Sequence, residues 1–468
     1  MLLLKVFSIN PYPRDLSLWG KHQRRNQSSA LKTKTSQHRI GIISLGCAKN
    51  LVDTEVLMRQ LKAGNYKLIL DPADTDKIDT AVINTCGFIQ DAKNDSIDTI
   101  LRFAEARKKG NISHLFVMGC LSERYKDQLK KGIPEVDDYF GVNELKHIIA
   151  AIGGKFRKDL VGERVLTTPS HYAYLKIAEG CDRKCSFCSI PSIRGKHVSR
   201  PVGDILKEVR YLVGLGVREI NVISQDTTYY GLDLYRSRKL PELLESIAGI
   251  AGVEWVRLHY TYPDGFPEGL LEVIRDHDNI CKYIDIPLQH ISSPILKSMR
   301  RGINEDDTYR LIEKIRKTIP GVALRTTLIA GYPLETETEF RELKEFVRKS
   351  EFDRLGVFAY SHEEGTFAYR LKDKVPAGVK ENRVSEIMEI QQEISYKMNS
   401  NKVGTIIKVI VDRKEGEYYI ARTEYDSPEV DNEVLIPAGD RDLTIGHFYN
   451  VKIISSDTFD LVAEIPDN

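Results

Sequence analysis

No stretch of the 468-residue sequence sustains an apolar run of the roughly 18 residues needed to cross a bilayer, so nothing in it reads as a membrane-spanning helix. A secretory leader is missing too. Residues 1–7 are apolar, but the run is short, Lys5 interrupts it, and no small-residue cleavage site follows, so the product is expected in the cytoplasm. Cysteine is scarce: seven thiols, an odd number, exclude complete disulfide pairing and point to ligands, catalytic groups or buried thiols. Net charge is almost absent, at +1, yet the balance is uneven. Residues 1–39 carry eight Lys/Arg against Asp15, which is +7, while residues 403–468 carry six against fourteen Asp/Glu, which is −8. The two ends should not favour the same partner.

With 41% hydrophobic and 29% charged residues the composition is globular, and a length of 468 suggests about three domains. Residues 1–38 show no hydrophobic period and hold Pro11, Pro13 and the Arg24-Arg25 pair, as a disordered basic extension does. Over 39–154 short apolar runs at 40–45, 80–84 and 114–118 alternate with helical stretches at 53–61, 91–106 and 122–129. That predicts an α/β fold beginning with a small open parallel sheet. Over 168–376 the alternation lengthens, with strands expected at 173–178, 219–224, 255–260, 283–288, 323–330 and 354–360 and helices between them. Six βα units are fewer than the eight of a closed TIM barrel, so a partial TIM-like barrel is expected. Residues 377–402 read as a linker helix. Residues 403–468, with about five short strands, read as a small OB-like β-barrel.

The chemistry concentrates on cysteine. In Glu179-Gly180-Cys181-Asp182-Arg183-Lys184-Cys185-Ser186-Phe187-Cys188, three thiols spaced by three and two residues follow the first barrel strand. A loop with these intervals can wrap three irons of a four-iron four-sulfur cluster and leave the fourth iron open. A zinc site is the alternative, but closed zinc sites take four ligands and only His197 stands nearby. Cys47, Cys86 and Cys120 each follow a predicted strand. Parallel strands deliver their carboxyl ends to one crevice, so these thiols can converge on a second metal centre; singly, each would read as a buried small hydrophobe. Cys281, placed before the fourth barrel strand, is assigned to the core.

The three-thiol loop, with its aromatic Phe187, resembles the radical-SAM superfamily. The resemblance implies that S-adenosylmethionine takes the open iron through its amino and carboxylate groups. Two further segments are similar to cofactor contacts of that superfamily: Ser224-Gln225-Asp226, and residues 328–333 with Gly331. Gly331 equally suits a strand-to-helix turn, and Gln225 a helix cap. The pattern departs at Leu334, where relatives commonly carry glycine. Ser44-Leu45-Gly46-Cys47-Ala48-Lys49-Asn50, Asn84-Thr85-Cys86-Gly87-Phe88, Gly119-Cys120-Leu121 and the run from Glu179 to Arg194-Gly195 together resemble the methylthiotransferases, from about residue 39 to the end.

Within that family, Cys47-Ala48-Lys49-Asn50 and the segments 283–290 and 427–432 are similar to the branch that modifies an aspartate β-carbon of ribosomal protein S-twelve. The C-terminal barrel is similar to the family's TRAM domain. The resemblance implies two four-iron four-sulfur clusters, S-adenosylmethionine, and a reductant such as flavodoxin or ferredoxin. It also implies a methylthio group delivered to a carbon activated by radical chemistry. The acidic TRAM domain, including Glu429 and Asp431, is expected to attract the basic ribosomal protein. A tRNA-adenosine methylthiotransferase is the alternative enzyme, disfavoured because an acidic barrel repels phosphates, and an iron-sulfur RNA-binding protein is the non-enzymatic alternative.

Overall fold

The computed structural model of the chain describes residues 37–72, 75–439 and 441–466. The basic extension expected over 1–38 lies outside the described residues except for Gln37 and His38. A parallel sheet comes first, built from β1 (Arg39–Ser44), β2 (Lys67–Leu70), β3 (Thr80–Thr85), β4 (His114–Gly119) and β5 (Asp138–Tyr139), in the order β2-β1-β3-β4-β5. Helices α1 (Ala48–Ala63), α2 (Gln90–Lys108), α3 (Cys120–Gly132) and α4 (Leu145–Ala151) accompany it. The central strands carry unbroken apolar and β-branched runs because both faces are covered: every residue of β3 is buried. Sequence reading finds β1, β3 and β4. It misses β2 and β5, edge strands of four and two residues, which are too short to show a period.

Next come β6 (Tyr172–Lys176) and a two-stranded ribbon, β7 (Ala178–Glu179) with β8 (Val198–Ser199), which flank the short helix α5 (Ile190–Arg194). The main sheet continues through β9 (Glu219–Ile223), β10 (Trp255–Leu258), β11 (Ile280–Asp285), β12 (Ala323–Ala330) and β13 (Arg354–Ala359). All its neighbours pair in parallel, in the order β13-β12-β11-β10-β9-β6. This is the expected six-stranded partial barrel. Alternation divides the strands into two faces. Ala173, Leu175, Ile220, Val222, Val256, Leu258, Ile284 and Leu324 enter the large core against the outer helices. The opposite positions include Tyr172, Tyr174, Glu219, Asn221, Arg257, Tyr283, Asp285 and Arg325, a polar set that carries the chemistry and the interdomain contacts.

The fourth strand runs over Ile280–Asp285 rather than 283–288, so Cys281 lies within a strand, buried beside Trp255 and Tyr283, and not before one. Pro287 has no N–H to give to a ladder, and Lys282, which looks like a boundary, folds its ammonium back onto the carbonyls of Ile274 and His277. The helix Ala377–Ser400 is also more than a linker. Its Ile387, Ile390 and Ile394 join the main core, and Gln391 donates to the Phe352 carbonyl.

The C-terminal strands β14 (Ile406–Glu415), β15 (Tyr418–Thr423), β16 (Val434–Pro437), β17 (Phe448–Ser456) and β18 (Leu461–Glu464) close a five-stranded barrel. It sits against the N-terminal ends of the main sheet through buried ions. Arg422 pairs with Glu219 at 2.7 Å and with Asp412 at 2.5 Å, Arg257 also pairs with Glu219, and Arg354 pairs with Asp426. In the segment 427–432, expected to help attract a basic protein, Glu429 is exposed, and both acidic side chains of the segment also reach the main sheet. Asp431 accepts hydrogen bonds from the Tyr283 hydroxyl and the Ser427 N–H and pairs with Arg325, while the Glu429 carboxylate accepts from the hydroxyls of Tyr172 and Tyr174. These carboxylates turn toward the concave face of the main sheet because its tyrosines and arginines need acceptors there. The outside of the small barrel is therefore less acidic than its composition suggests.

Removing one partner of such a buried pair strands the other charge, which costs about 3 to 5 kcal/mol, whereas a half-exposed pair is worth under about 1 kcal/mol. Urea unfolding of the apo chain should show Arg422→Met destabilised by about the first amount and Arg413→Met, whose partners are Glu415 and Glu433, by no more than the second. Burial pushes the Asp412 carboxyl up, but Arg422 and His171 outweigh it and hold it near about 2, below the ordinary 3.8. This contribution is complete above about pH 4 and is lost as pH falls toward about 2. In Arg422→Met much of that acid-dependent loss should disappear.

Candidate metal centres

The first three thiols leave adjacent strands. Cys47 is the N-cap of α1 just beyond β1, Cys86 directly follows β3, and Cys120 opens α3 directly after β4. The register sets Ser44 beside Asn84 and Thr85 beside Gly119, so the three chain exits lie side by side at the carboxyl edge. Two glycines make the approach possible. A Cβ at Gly46 (φ 94°) would stand 2.8 Å from the Cys86 Cβ, and one at Gly119 (φ 101°) would stand 2.3 Å from the Asn84 side-chain oxygen. Asn50 locks the loops by donating its amide to the carbonyls of Leu45 and Thr85, while Asn84 donates to Asn50 O and Thr54 Oγ1. Burial raises the Cys86 thiol to about 11, helped by neighbouring Cys47, and the Cys120 thiol to about 12 against the pull of Arg194.

The second group lies on the loop after β7. The Arg183 N–H points at the Cys181 sulfur at 3.4 Å, and Cys188 N–H donates to Cys185 O. Arg301 Nη1 lies 3.3 Å from the Cys185 sulfur and the Tyr262 hydroxyl 3.5 Å from it. Ser186 holds the loop by accepting from Ala368 N–H and donating its own N–H to Met299 O. Burial pushes Cys181 and Cys188 up to about 12. Phe187 packs on Ile295, Met299, Tyr332 and Tyr360. At the end of β9 the Ser224 hydroxyl and the Gln225 side-chain oxygen are buried and unpartnered, while Gln225 Nε2 donates to Glu179. Gly331 N–H donates to Glu335, and the Lys380 side chain lies where a Cβ would go; Leu334 is exposed.

Between the groups lies a charged network that sequence reading did not single out. Arg194 Nη1 binds Asp53 at 3.2 Å and Glu179 at 2.9 Å, its Nη2 binds Asn50 Oδ1, and the Cys120 thiol faces the same oxygen at 3.6 Å. Lys176 pairs with Asp53 and Glu179 as well. Burial raises the Glu179 carboxyl, but Lys176 and then Arg194 bring it down to about 2. The available signal was a lysine at 176 in an otherwise apolar strand. Three thiols per site with guanidinium groups close by suit an anionic cluster. Among the described residues no three Cys, His, Asp or Glu are gathered as ligands of a single ion, and the His197 ring bonds Ser199 rather than a thiol. The zinc alternative thus lacks its fourth ligand, whereas a four-iron four-sulfur cluster takes one thiolate per iron and needs no such single-ion grouping.

Residues 39–141 match the uncharacterized protein family UPF0004, residues 175–347 the radical SAM superfamily, and residues 403–465 the TRAM domain. The ribosomal protein uS12 methylthiotransferase RimO of Phocaeicola vulgatus is 56% identical over 427 residues, covering 91% of this chain and 99% of that protein. The protein of the same name from Bacteroides thetaiotaomicron is 56% identical over 428 residues, 91% of this chain and 98% of its own. That of Flavobacterium johnsoniae is 53% identical over 435 residues, 93% of this chain and 100% of its own. The radical S-adenosylmethionine methyltransferase TsrM of Kitasatospora setae, solved with cobalamin and a [4Fe-4S] cluster, shares the fold at a TM-score of 0.52 and 13% identity, over 69% of this chain and 75% of its own. Domain order, partial barrel and sequence together define a radical-SAM methylthiotransferase. Within that class, the chain belongs to the RimO family.

Each group holds three thiols, and the two groups follow strands of different sheets. After anaerobic reconstitution, replacing Cys181, Cys185 and Cys188 together by Ala should remove roughly half of the bound iron and leave the spectrum of the remaining centre. Loss of all iron-sulfur absorbance would mean one shared centre.

Proposed function

We propose that the chain adds a methylthio group to the β-carbon of an aspartate in ribosomal protein uS12, the protein named for its RimO relatives. The observation that carries the reading is that two three-thiol groups, one at the carboxyl edge of the first sheet and one on the loop after β7, are tied together by the bonds of Arg194 to Asp53, Asn50 and Glu179. Cys181, Cys185 and Cys188 would hold one four-iron four-sulfur cluster, and Cys47, Cys86 and Cys120 the other. Phe187, Ser224, Gln225 and Gly331 would border S-adenosylmethionine, and the unpartnered polar atoms of Ser224 and Gln225 offer it hydrogen bonds. When bound, these groups supply radical chemistry at a C–H bond too weakly acidic for a side-chain base, together with the methyl and sulfur to be transferred.

The chain's own residues orient and insulate. Arg183 and Arg301 offset thiolate charge at one site, each with its guanidinium over Tyr262. Arg194 does the same beside Cys120, while the Asn50 side-chain oxygen, which faces that thiol, holds the Arg194 guanidinium in place. Leu51 and Val52 of α1 pack on Tyr172, Tyr174 and Ile223, which closes the concave face of the main sheet from the thiol side and excludes water. From the opposite end the 427–432 segment closes it. A small electron carrier of the flavodoxin or ferredoxin type serves as reductant, and the reaction takes place in the cytoplasm; among the described residues no helix is long and apolar enough to cross a membrane. Exposed Glu415, Glu417, Asp442, Asp457 and Glu464 on the TRAM barrel stand among Lys408, Lys414, Arg441 and Lys452, so its pull on a basic ribosomal protein is modest.

Reconstituted enzyme with S-adenosylmethionine and dithionite should add one methylthio group to the aspartate of uS12, read by mass spectrometry, and leave bulk tRNA unmodified. Methylthio-adenosine in the tRNA with unchanged uS12 would overturn the reading.

A further inference from the structure

Among the described residues most buried cations around the thiol sites have a carboxylate partner; Arg301 has the Cys185 sulfur and the Pro287 carbonyl instead, and Lys49 on α1 has neither kind of partner. Lys176 and Arg194 share Asp53 and Glu179, Arg325 takes Asp285 and Asp431, and Lys93 takes Glu363. Lys49 is 7% exposed, and no described carboxylate pairs with its ammonium. The ammonium sits 3.0 Å from the centroid of the Tyr260 ring, its one close described contact. The carboxylates in its neighbourhood are already committed. Asp285 accepts from Arg325 and the Tyr260 N–H, and Glu179 accepts from Lys176, Arg194 and Gln225.

A buried unpaired cation is costly, and a ring face offsets only part of that cost. The position is informative too. Lys49 is the second residue of α1, two beyond Cys47, and lies over a tyrosine at the end of β10. It thus stands between the first thiol site and the concave face of the main sheet. A second feature points the same way: no side chain caps α1 and its first turn holds no acidic residue, so the helix adds positive potential at the same spot.

Resting on the reading above, we propose that Lys49 anchors the carboxylate of the substrate aspartate. The reacting β-carbon is one bond from that carboxylate carbon, so an ion pair here fixes the carbon between the two thiol sites, the positioning that a group transfer needs. The same contact separates aspartate from asparagine. Asparagine keeps the shape of the side chain but brings no charge to Lys49, which leaves the ammonium unpaired in the complex.

The test uses reconstituted holoenzyme as wild type, Lys49→Met and Lys49→Arg, with labelled uS12 carrying aspartate or asparagine at the modified position. Affinities are read anaerobically by fluorescence anisotropy, and iron is measured for each variant. Wild type should bind the aspartate form at least about tenfold more tightly. Lys49→Met should bind both forms alike, at the affinity of wild type for the asparagine form, with its iron intact, and Lys49→Arg should recover part of the preference. A Lys49→Met enzyme that keeps the preference, or that weakens equally toward both forms, overturns the proposal. So does a wild type without preference, or loss of iron in Lys49→Met, which would give the lysine to the cluster instead. Failure of wild type to bind or modify uS12 at all would overturn the substrate reading itself.

Discussion

One guanidinium holds the two halves of the site in register. Arg194 ends the short helix after the Cys181–Cys188 loop, yet its nitrogens bind Asp53 and Asn50 of α1, the helix that begins beside Cys47. Because its side chain is only 2% exposed, the charge needs both carboxylates, and each of them also serves Lys176. Neither domain can shift without breaking several charge-assisted bonds in a dry setting, where they are strong and costly to lose. The spacing between the thiol sites, the seat of α1 on the main sheet and the place of Lys49 all follow from this tie.

A second set of buried ions does the same at the opposite end. Glu219, Asp412 and Asp426 bind Arg422, Arg257 and Arg354, and the small barrel becomes the floor of the central domain rather than an appendage. The concave face is thereby enclosed from both ends, by α1 above and by the 427–432 segment below. Enclosure of this kind suits radical chemistry, which must keep water and stray hydrogen donors away from a reactive carbon.

What could be read from the sequence followed the strength of the local signal. The loop of Cys181, Cys185 and Cys188 announces itself by spacing. Cys47, Cys86 and Cys120 become visible only through the strands they follow, and those strands are legible because residues such as Ile40, Ile42, Val82 and Ile83 form buried β-branched runs. Short β2 and β5 carry no such pattern, and Lys282 and Pro287 disguised the true limits of the fourth barrel strand. The charge network was out of reach for a different reason. Arg194 meets Asn50 across 144 positions and Arg422 meets Glu219 across 203, and composition does not say which acid meets which base. Hence the bonds of Glu429 and Asp431 to the tyrosines and Arg325 of the main sheet could not be read from their place in an acidic barrel.

The central claim is that two separate iron centres lie side by side, one on each sheet, with Arg194 between them. Anomalous diffraction at the iron edge from crystals of the reconstituted chain tests it directly. Two peaks are predicted, one bounded by Cys47, Cys86 and Cys120 and the other by Cys181, Cys185 and Cys188, with the Arg194 side chain separating them. A single peak, or iron ligated away from either triad, would contradict the account.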